Sequence, residues 1–134
     1  MGHFLLAHGS AADEDQYVVN LEDGKPLLGA QQERAVFFGH THLQGGFQLI
    51  RGNAARINPN RKGGKQLRVE GGNYYLINPG AVGQPRDNDW RAAYALYSAE
   101  EQVVEFRRVE YDVDRAAEKI RTAGVAGNPG LSAL

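Results

Sequence analysis

Two histidines separated by one residue, His40 and His42, are the feature of the sequence that most suggests chemistry. They follow three apolar residues (36–38) and Gly39, a pattern typical of a buried strand that ends in a turn. Neutral imidazole is the commonest metal ligand in proteins, and a glycine lets the backbone approach a ligand closely because it has no Cβ. The pattern predicts a site at the carboxyl end of a strand in an open α/β sheet. Two polar residues in a surface turn explain an isolated pair equally well.

A third histidine repeats the arrangement. His8 follows the apolar residues 4–7 and precedes Gly9. If the two strands are parallel neighbours, the rings of His8, His40 and His42 converge on one edge of the sheet, which favours a metal site over a surface turn. His3 lies beside the start of the chain and is interpreted as incidental.

Composition narrows the class of protein. A length of 134 residues predicts one domain. The sequence has no cysteine, so any metal ion must bind to nitrogen and oxygen. The net charge is −1, which does not favour a nucleic-acid partner. No apolar run approaches the roughly 20 residues of a membrane span, and no signal peptide is evident. We therefore expect a cytoplasmic protein with no membrane partner.

Apolar periodicity predicts an α/β fold with a mixed sheet. Acidic residues followed by apolar ones predict a short helix over residues 13–22 that ends at Asp23-Gly24, with Pro26 barring its continuation. Apolar runs predict two buried strands, at 4–7 and 35–38. After His42 a period-two pattern predicts an antiparallel meander of strands at 47–51, 65–70, 74–77, 92–97 and 102–111.

The segment between the strands 47–51 and 65–70 is predicted to be a basic loop over residues 52–64. It either faces a phosphate-bearing ligand or is simply solvated, and solvation is the commoner case for such a loop.

The end of the chain is predicted to be a helix and a tail. Asp112 is placed to cap a helix over residues 113–123. Its stripe of Val113, Ala117 and Ile120 is expected to face the core. Residues 125–134 are expected to form a loose tail.

A connection rich in proline and glycine, residues 78–87 (Asn-Pro-Gly-Ala-Val-Gly-Gln-Pro-Arg-Asp), follows the strand at 74–77. With His-Gly-Ser (8–10) and Gly-His-Thr-His (39–42), it resembles the C-terminal half of the calcineurin-like metallophosphoesterases, in particular the small bacterial and archaeal phosphodiesterases. Residues 91–95 and 108–112 also resemble that branch. The resemblance makes residues 1–134 the C-terminal portion of one phosphoesterase domain.

The resemblance implies a four-layer αββα sandwich around a dinuclear metal site. By resemblance, His8 and His40 bind one ion and His42 binds the other. The family hydrolyses phosphate mono- and diesters by attack of a bridging hydroxide on phosphorus, with both metals stabilising the charge of the phosphoryl group. The ligand types suit Mn²⁺, Fe, Ni²⁺ or Zn²⁺. No catalytic or cofactor-binding residue beyond these metal ligands is implied in this chain.

The first motifs of the family are absent from the sequence: Asp-x-His, the Gly-Asp of the bridging carboxylate, and Gly-Asn-His-Asp or Gly-Asn-His-Glu. Three neutral imidazoles do not hold two divalent ions about 4 Å apart without a bridging carboxylate. We therefore hypothesise that the chain is a fragment or split half, with either the missing N-terminal half on a separate chain or further copies of itself in a homo-oligomer as its partner. The strand at 4–7 should then have an uncovered edge.

Three functions remain open. The chain is half of a phosphoesterase, or a non-catalytic interaction scaffold with the phosphoesterase fold, or it holds a single metal ion on His8, His40 and His42 with water as the fourth ligand.

Overall fold

Eight strands in two sheets and two helices make up residues 4–124, which are the residues that the computed structural model describes. In chain order the elements are β1 (Phe4–Leu6), α1 (Leu21–Ala30), β2 (Ala35–Phe37), β3 (Gly45–Ile50), β4 (Asn53–Ile57), β5 (Gln66–Arg68), β6 (Tyr74–Asn78), β7 (Ala92–Ser98), β8 (Val103–Val109) and α2 (Val113–Thr122). The predictions for His3 and for residues 125–134 lie outside the described residues.

The first sheet is mixed, as the sequence predicts. Its strand order is β1-β2-β6-β3-β4. The strands β1, β2 and β6 are parallel, whereas β3 runs antiparallel to both β6 and β4. The second sheet is antiparallel, with the order β5-β8-β7.

Alternating side chains of the central strands divide the core into two layers. Tyr75 and Ile77 of β6 face the second sheet and pack with Val104 and Phe106 of β8. Leu76, which points the other way, packs with Leu28 of α1. The two sheets therefore lie face to face, and α1 covers the outer side of the first sheet.

The first helix differs from the prediction. Residues 13–20 are not helical, and α1 begins at Leu21 with Asn20 as its N-cap. Asn20 and Asp23 form a reciprocal capping box, so Asp23 starts the helix rather than ending it. Pro26 lies inside α1. It removes one backbone hydrogen-bond donor in the middle of the helix, while Leu28 of the same helix is buried in the core.

The predicted loop 52–64 is partly wrong, because β4 occupies its first residues and forms a hairpin with β3. The predicted antiparallel meander is also wrong at one strand. The predicted strand at 65–70 is β5, which pairs with β8 in the second sheet and not with β3 or β6. Leu67 packs against the core between the sheets, which is why the chain crosses over at this point.

The second helix forms where the sequence predicts it, but its core-facing stripe is wrong. Asp112 is the N-cap of α2, and its side chain accepts a hydrogen bond from the backbone N–H of Arg115 at 2.9 Å. None of residues 113–122 is buried. Val113, Ala117 and Ile120 are half-buried, so they lie on the less exposed side of the helix without entering the core.

Within residues 4–124, nothing pairs with the outer edge of β1, in agreement with the edge that the sequence predicts. This strand ends the first sheet, and its side chains Phe4 and Leu6 are 50% and 71% exposed. Phe4 meets the rings of Phe37 and Tyr97 edge-on, with ring centroids 6.1 and 5.8 Å apart. No helix in the described part of the chain is long and apolar enough to cross a membrane.

Candidate metal centre

Strand topology brings the three predicted ligands to one edge of the first sheet. His8 and His40 follow the parallel strands β1 and β2, which pair in the register Leu6 with Phe37. His42 lies between the end of β2 and the start of β3. Because β3 is antiparallel, its first residues meet the last residues of β6 at this same edge.

The rings of His8 and His40 are in direct contact. His8 Nε2 lies 3.0 Å from His40 Nδ1, and the ring centroids are 4.4 Å apart. The backbone supports this contact, because the N–H of Gly39 donates to the carbonyl of His8 at 2.8 Å and thereby extends the β1–β2 pairing. The predicted convergence of these two imidazoles is confirmed.

Both histidines of the Gly-His-Thr-His segment have an unusual backbone conformation. His40 has a φ of 71° and His42 a φ of 60°, which is the left-handed region. Residues other than glycine occupy this region at a cost and cluster at functional sites. The N–H of Thr41 donates to the carbonyl of Gly39 at 2.8 Å, so the segment is a tight turn that projects both imidazoles.

His40 is also held from the other side by a stacked aromatic ring. The ring of Tyr17 lies parallel to it, with centroids 3.7 Å apart and planes inclined by 24°. Tyr17 belongs to the non-helical segment 13–20, and its side chain is exposed. The sequence reasoning placed this residue in a helix and therefore missed the contact.

The orientation of His42 is set by a backbone carbonyl. His42 Nδ1 lies 2.8 Å from the carbonyl oxygen of Gln84. Since a carbonyl only accepts, Nδ1 carries the proton and donates it, which leaves the lone pair of Nε2 available. This arrangement, in which one ring nitrogen is hydrogen-bonded and the other is free, is typical of metal-binding histidines.

A buried asparagine joins the two loops of the site. Asn78 donates from Nδ2 to the hydroxyl of Thr41 at 2.9 Å and accepts from the N–H of Gly80 at 2.9 Å. Asn78 and Thr41 are both buried. The Asn-Pro-Gly motif therefore fixes the turn that carries His40 and His42.

The described residues provide nitrogen ligands for a metal centre but do not complete its ligand set. Two nitrogens bound to one ion at about 2.1 Å lie roughly 3.0–3.4 Å apart, and the 3.0 Å separation of the His8 and His40 nitrogens falls within this range. Within residues 4–124 no group of three His, Cys, Asp or Glu side chains is placed to hold one ion. His8, His40 and His42 therefore do not form a single three-ligand group.

The segment after β4, residues 58–65, contains Arg61, Lys62 and Lys65 and is called the basic segment. It lies at the same end of the sheets as the histidines. Since β4 runs antiparallel to β3, its last residue Ile57 pairs with Gly46 at the start of β3. A cavity of about 210 Å³ opens beside this segment. Its charged lining residues are Lys65, Arg91, Glu105, Arg107 and Arg108.

An ion pair between Asp89 and Arg91 lies at the end of the loop that follows β6. Arg91 donates to both carboxylate oxygens of Asp89, at 3.0 and 2.7 Å. These hydrogen bonds lower the pKa of the Asp89 carboxyl to about 2, and the charge of Arg108 adds to the effect. Asp89 is therefore ionised throughout the neutral range.

A buried arginine of β8 is a further residue that the sequence reasoning missed. The side chain of Arg108 is 8% exposed, and it contacts Asp87 and Gln44. A signal was available, because Arg108 continues the inward-facing series of Val104 and Phe106 at period two. A charge at a buried strand position requires a partner.

The chain is similar to known proteins in sequence and in fold. No family model matches the sequence. Over 90 residues the chain is 37% identical to the uncharacterized protein MJ0912 of Methanocaldococcus jannaschii, a match that covers 63% of this chain and 32% of that protein.

Two solved structures share the fold. The metallophosphoesterase of Sphaerobacter thermophilus matches with a TM-score of 0.75 at 34% identity, covering 92% of this chain and 52% of that one. The hypothetical protein PH1004 of Pyrococcus horikoshii matches with a TM-score of 0.63 at 15% identity, covering 92% and 43%, which shows the fold alone. The chain thus has a metallophosphoesterase-like fold and spans about half the length of the solved metallophosphoesterase.

Proposed function

We propose that this chain supplies the histidine ligands of a dinuclear metal centre that hydrolyses phosphate mono- and diesters. The observation that carries the proposal is the 3.0 Å separation of His8 Nε2 and His40 Nδ1 at the carboxyl edge of a metallophosphoesterase-like sheet. The separate orientation of His42 by Gln84 supports a second position for a metal ion.

The roles proposed for the three rings are those that the resemblance implies, and the contact between His8 and His40 supports them. His8 and His40 hold one divalent ion and His42 holds the other, and Mn²⁺, Fe, Ni²⁺ and Zn²⁺ all suit imidazole ligands. When bound, such a pair of ions supplies a nucleophile at neutral pH and stabilises the charge of the transferring phosphoryl group. Tyr17 keeps the plane of His40 fixed, and the Gln84 carbonyl holds the proton of a neutral His42 ring on Nδ1, so that Nε2 faces away from the carbonyl with its lone pair.

The remaining ligands are proposed to come from polypeptide outside the described residues. Two divalent ions need a bridging carboxylate to offset their charge, and His8 is exposed, which leaves room for further ligands beside it. A segment corresponding to the rest of the metallophosphoesterase chain, on the same protein or a separate one, is the proposed source. A second copy of this chain is the alternative source.

The basic cavity suggests how the substrate is held. Lys65 lines it at the end of the basic segment, so an ammonium group is available for the anionic group of a phosphate ester. The position of the basic segment at the same end as the histidines supports this role.

Complementation tests the proposal. The chain is mixed with the part of the Sphaerobacter metallophosphoesterase that lies outside the matched region, and association is checked by size-exclusion chromatography. Hydrolysis of bis(4-nitrophenyl) phosphate is then followed with Mn²⁺ and with a chelator. We expect Mn²⁺-dependent hydrolysis that His40→Ala and His42→Ala abolish and that Asn53→Ala, at the exposed start of β4, leaves unchanged. An assembled but inactive mixture would contradict the proposal.

A non-catalytic interaction scaffold is the second candidate. The exposed apolar side chains of β1 favour it, because a bare strand edge pairs readily with another chain. A scaffold predicts association through β1 in the absence of any metal ion, and it predicts that substitution of the histidines changes nothing measurable.

A further inference from the structure

We infer that Arg108, on β8 of the second sheet, is a positioning residue for His42. This inference rests on the proposed function only in that His42 is taken to be a metal ligand. Arg108 does not touch the imidazole. It acts through Asp87, Gln44 and the loop that carries Gln84.

Every nitrogen of the Arg108 guanidinium is engaged. Nε donates to the side-chain oxygen of Gln44 at 3.0 Å. Nη1 donates to the carbonyls of Asp89 and Arg91 at 3.2 and 3.3 Å. Nη2 donates to a carboxylate oxygen of Asp87. Since only the planar fork of arginine matches these four directions, the contact is specific to this residue type.

The same carboxylate oxygen of Asp87 ties the two site loops together. It also accepts a hydrogen bond from the backbone N–H of Gln44 at 3.2 Å. The side chain of Gln44 in turn donates to the carbonyl of Pro79 at 3.2 Å. Arg108 therefore holds both the segment after His42 and the loop after β6 through one buried charge cluster.

The loop held in this way contacts His42 twice. The N–H of Arg86 donates to the backbone carbonyl of His42 at 3.1 Å. The carbonyl of Gln84 accepts from His42 Nδ1 at 2.8 Å. Asp87 follows these residues directly, so releasing Asp87 from Arg108 frees the carbonyl that sets the tautomer and the direction of the imidazole.

The consequence for metal binding follows from this chain of contacts. A histidine whose Nδ1 is held by a fixed carbonyl presents Nε2 in one direction. If the loop moves, both neutral tautomers are populated and Nε2 carries a proton for part of the time. Loss of such an outer contact typically weakens metal binding by about 10–100-fold.

The test uses the complete chain without added metal and observes His42 directly. Arg108→Met and Arg108→Lys are compared with Arg107→Met, the matched control. Arg107 is the neighbouring residue on β8 and is exposed, and its side chain pairs with Glu105 at 2.8 Å. Long-range ¹H–¹⁵N spectra at about pH 8, above the ordinary imidazole pKa, report which nitrogen of His42 carries the proton.

We expect a single Nδ1–H tautomer of His42 in the wild type and in Arg107→Met, and a mixture of tautomers in both Arg108 variants. Arg108→Lys keeps a positive charge beside Asp87 but loses the fork of hydrogen bonds to Gln44 and to the carbonyls of Asp89 and Arg91. It is the milder substitution, so it decides the result if Arg108→Met does not fold. A folded Arg108→Lys protein with the wild-type His42 signature would overturn the inference.

Metal titration of the same proteins, each assembled with the complementary part of the Sphaerobacter metallophosphoesterase, separates this inference from the proposed function. With Mn²⁺ as the probe, we expect the dissociation constant of the Arg108 variants to rise about tenfold over the control. If no variant and no wild type binds Mn²⁺ but the tautomer still changes, the proposed function fails and the positioning role stands.

Discussion

At the scale of single residues, the site depends on the backbone conformation of its histidines and on the neighbours that orient each ring. His40 and His42 both have positive φ angles, and each ring has a fixed neighbour, Tyr17 for His40 and Gln84 for His42. Strain of this kind persists only where the surrounding structure enforces it. The spacing of the histidines predicts which residues form the site, but it does not predict what orients them.

The reason for that limit is visible in the residues that the sequence reasoning missed. Tyr17 reaches His40 because residues 13–20 follow an irregular path, which has no period to read. Gln84 contributes a main-chain carbonyl, and any residue type supplies that group. Arg108 was detectable in principle, since an arginine in the inward register of a strand stands out against Val104 and Phe106.

Asp89 gives a prediction at this scale that concerns pH. Its carboxyl has a folded-state pKa of about 2 against an ordinary 3.8, because Arg91 donates hydrogen bonds to its charged form. The ionised form favours the folded state, so this stabilisation is complete above about pH 4 and is lost as the pH falls toward 2.

Asp89→Asn should therefore reduce the difference in melting temperature between pH 5 and about pH 2.5. Thermal unfolding followed by circular dichroism measures it. Glu100→Gln, in the exposed turn between β7 and β8, is the control and should leave that difference at its wild-type value. An Asp89→Asn protein with the full wild-type acid sensitivity would contradict the assignment.

At the scale of elements, the strands β1, β2, β3 and β6 of the mixed sheet were predictable, whereas β4 and the helix α1 were not. Apolar runs at β1, β2 and β6 are short, continuous and followed by glycine or proline motifs, which is the pattern of buried parallel strands. The capping box at Asn20 and Asp23 starts α1, although Gly24 and Pro26 argue against a helix. Packing of α1 on the sheet decides the outcome, and packing is not local information.

Gly46 gives the prediction at this scale, because it lies where β3 passes between β4 and β6. It has a φ of +117°, and a Cβ there would overlap the carbonyl oxygen of Leu76. Gly46→Ala should lower the free energy of unfolding by about 2–4 kcal/mol, since it combines backbone strain with a clash against main-chain atoms.

Gly52→Ala is the matched control for that substitution. Gly52 also has a positive φ, +80°, but a Cβ there meets nothing within 4 Å. Its cost should be limited to backbone strain of about 1–2 kcal/mol. Urea denaturation measures both variants, and equal losses would contradict the account of the β3–β6 contact.

At the scale of the whole molecule, the sheet edge beside β1 carries no further strand within residues 4–124. The strand β1 leads to His8 and is the last strand of its sheet in that range. The chain spans 52% of the solved metallophosphoesterase that shares its fold. Under the proposed function, this edge is where we expect further polypeptide to bring its ligands.

Leu6 gives the prediction at this scale. Its side chain is 71% exposed on β1, so Leu6→Lys should reduce self-association of the chain, because a charge on an edge strand opposes pairing with another strand. Sedimentation velocity over a range of concentrations measures the effect. Ala11→Lys adds the same charge at an exposed loop position and should leave association unchanged. Equal effects of the two substitutions would assign the change to net charge instead.

The most direct test of the central claim is the metal content of the chain assembled with the complementary part of the Sphaerobacter metallophosphoesterase, measured by equilibrium dialysis against Mn²⁺ followed by elemental analysis. Assemblies of the wild type are compared with those of His8→Ala/His40→Ala and of His42→Ala. We expect the wild-type assembly to bind Mn²⁺, the double variant to lose the ion held by the contacting pair, and His42→Ala to lose only the other ion. A wild-type assembly that stays free of metal, or a metal content that is the same in every variant, would contradict the claim that these histidines belong to a metal centre.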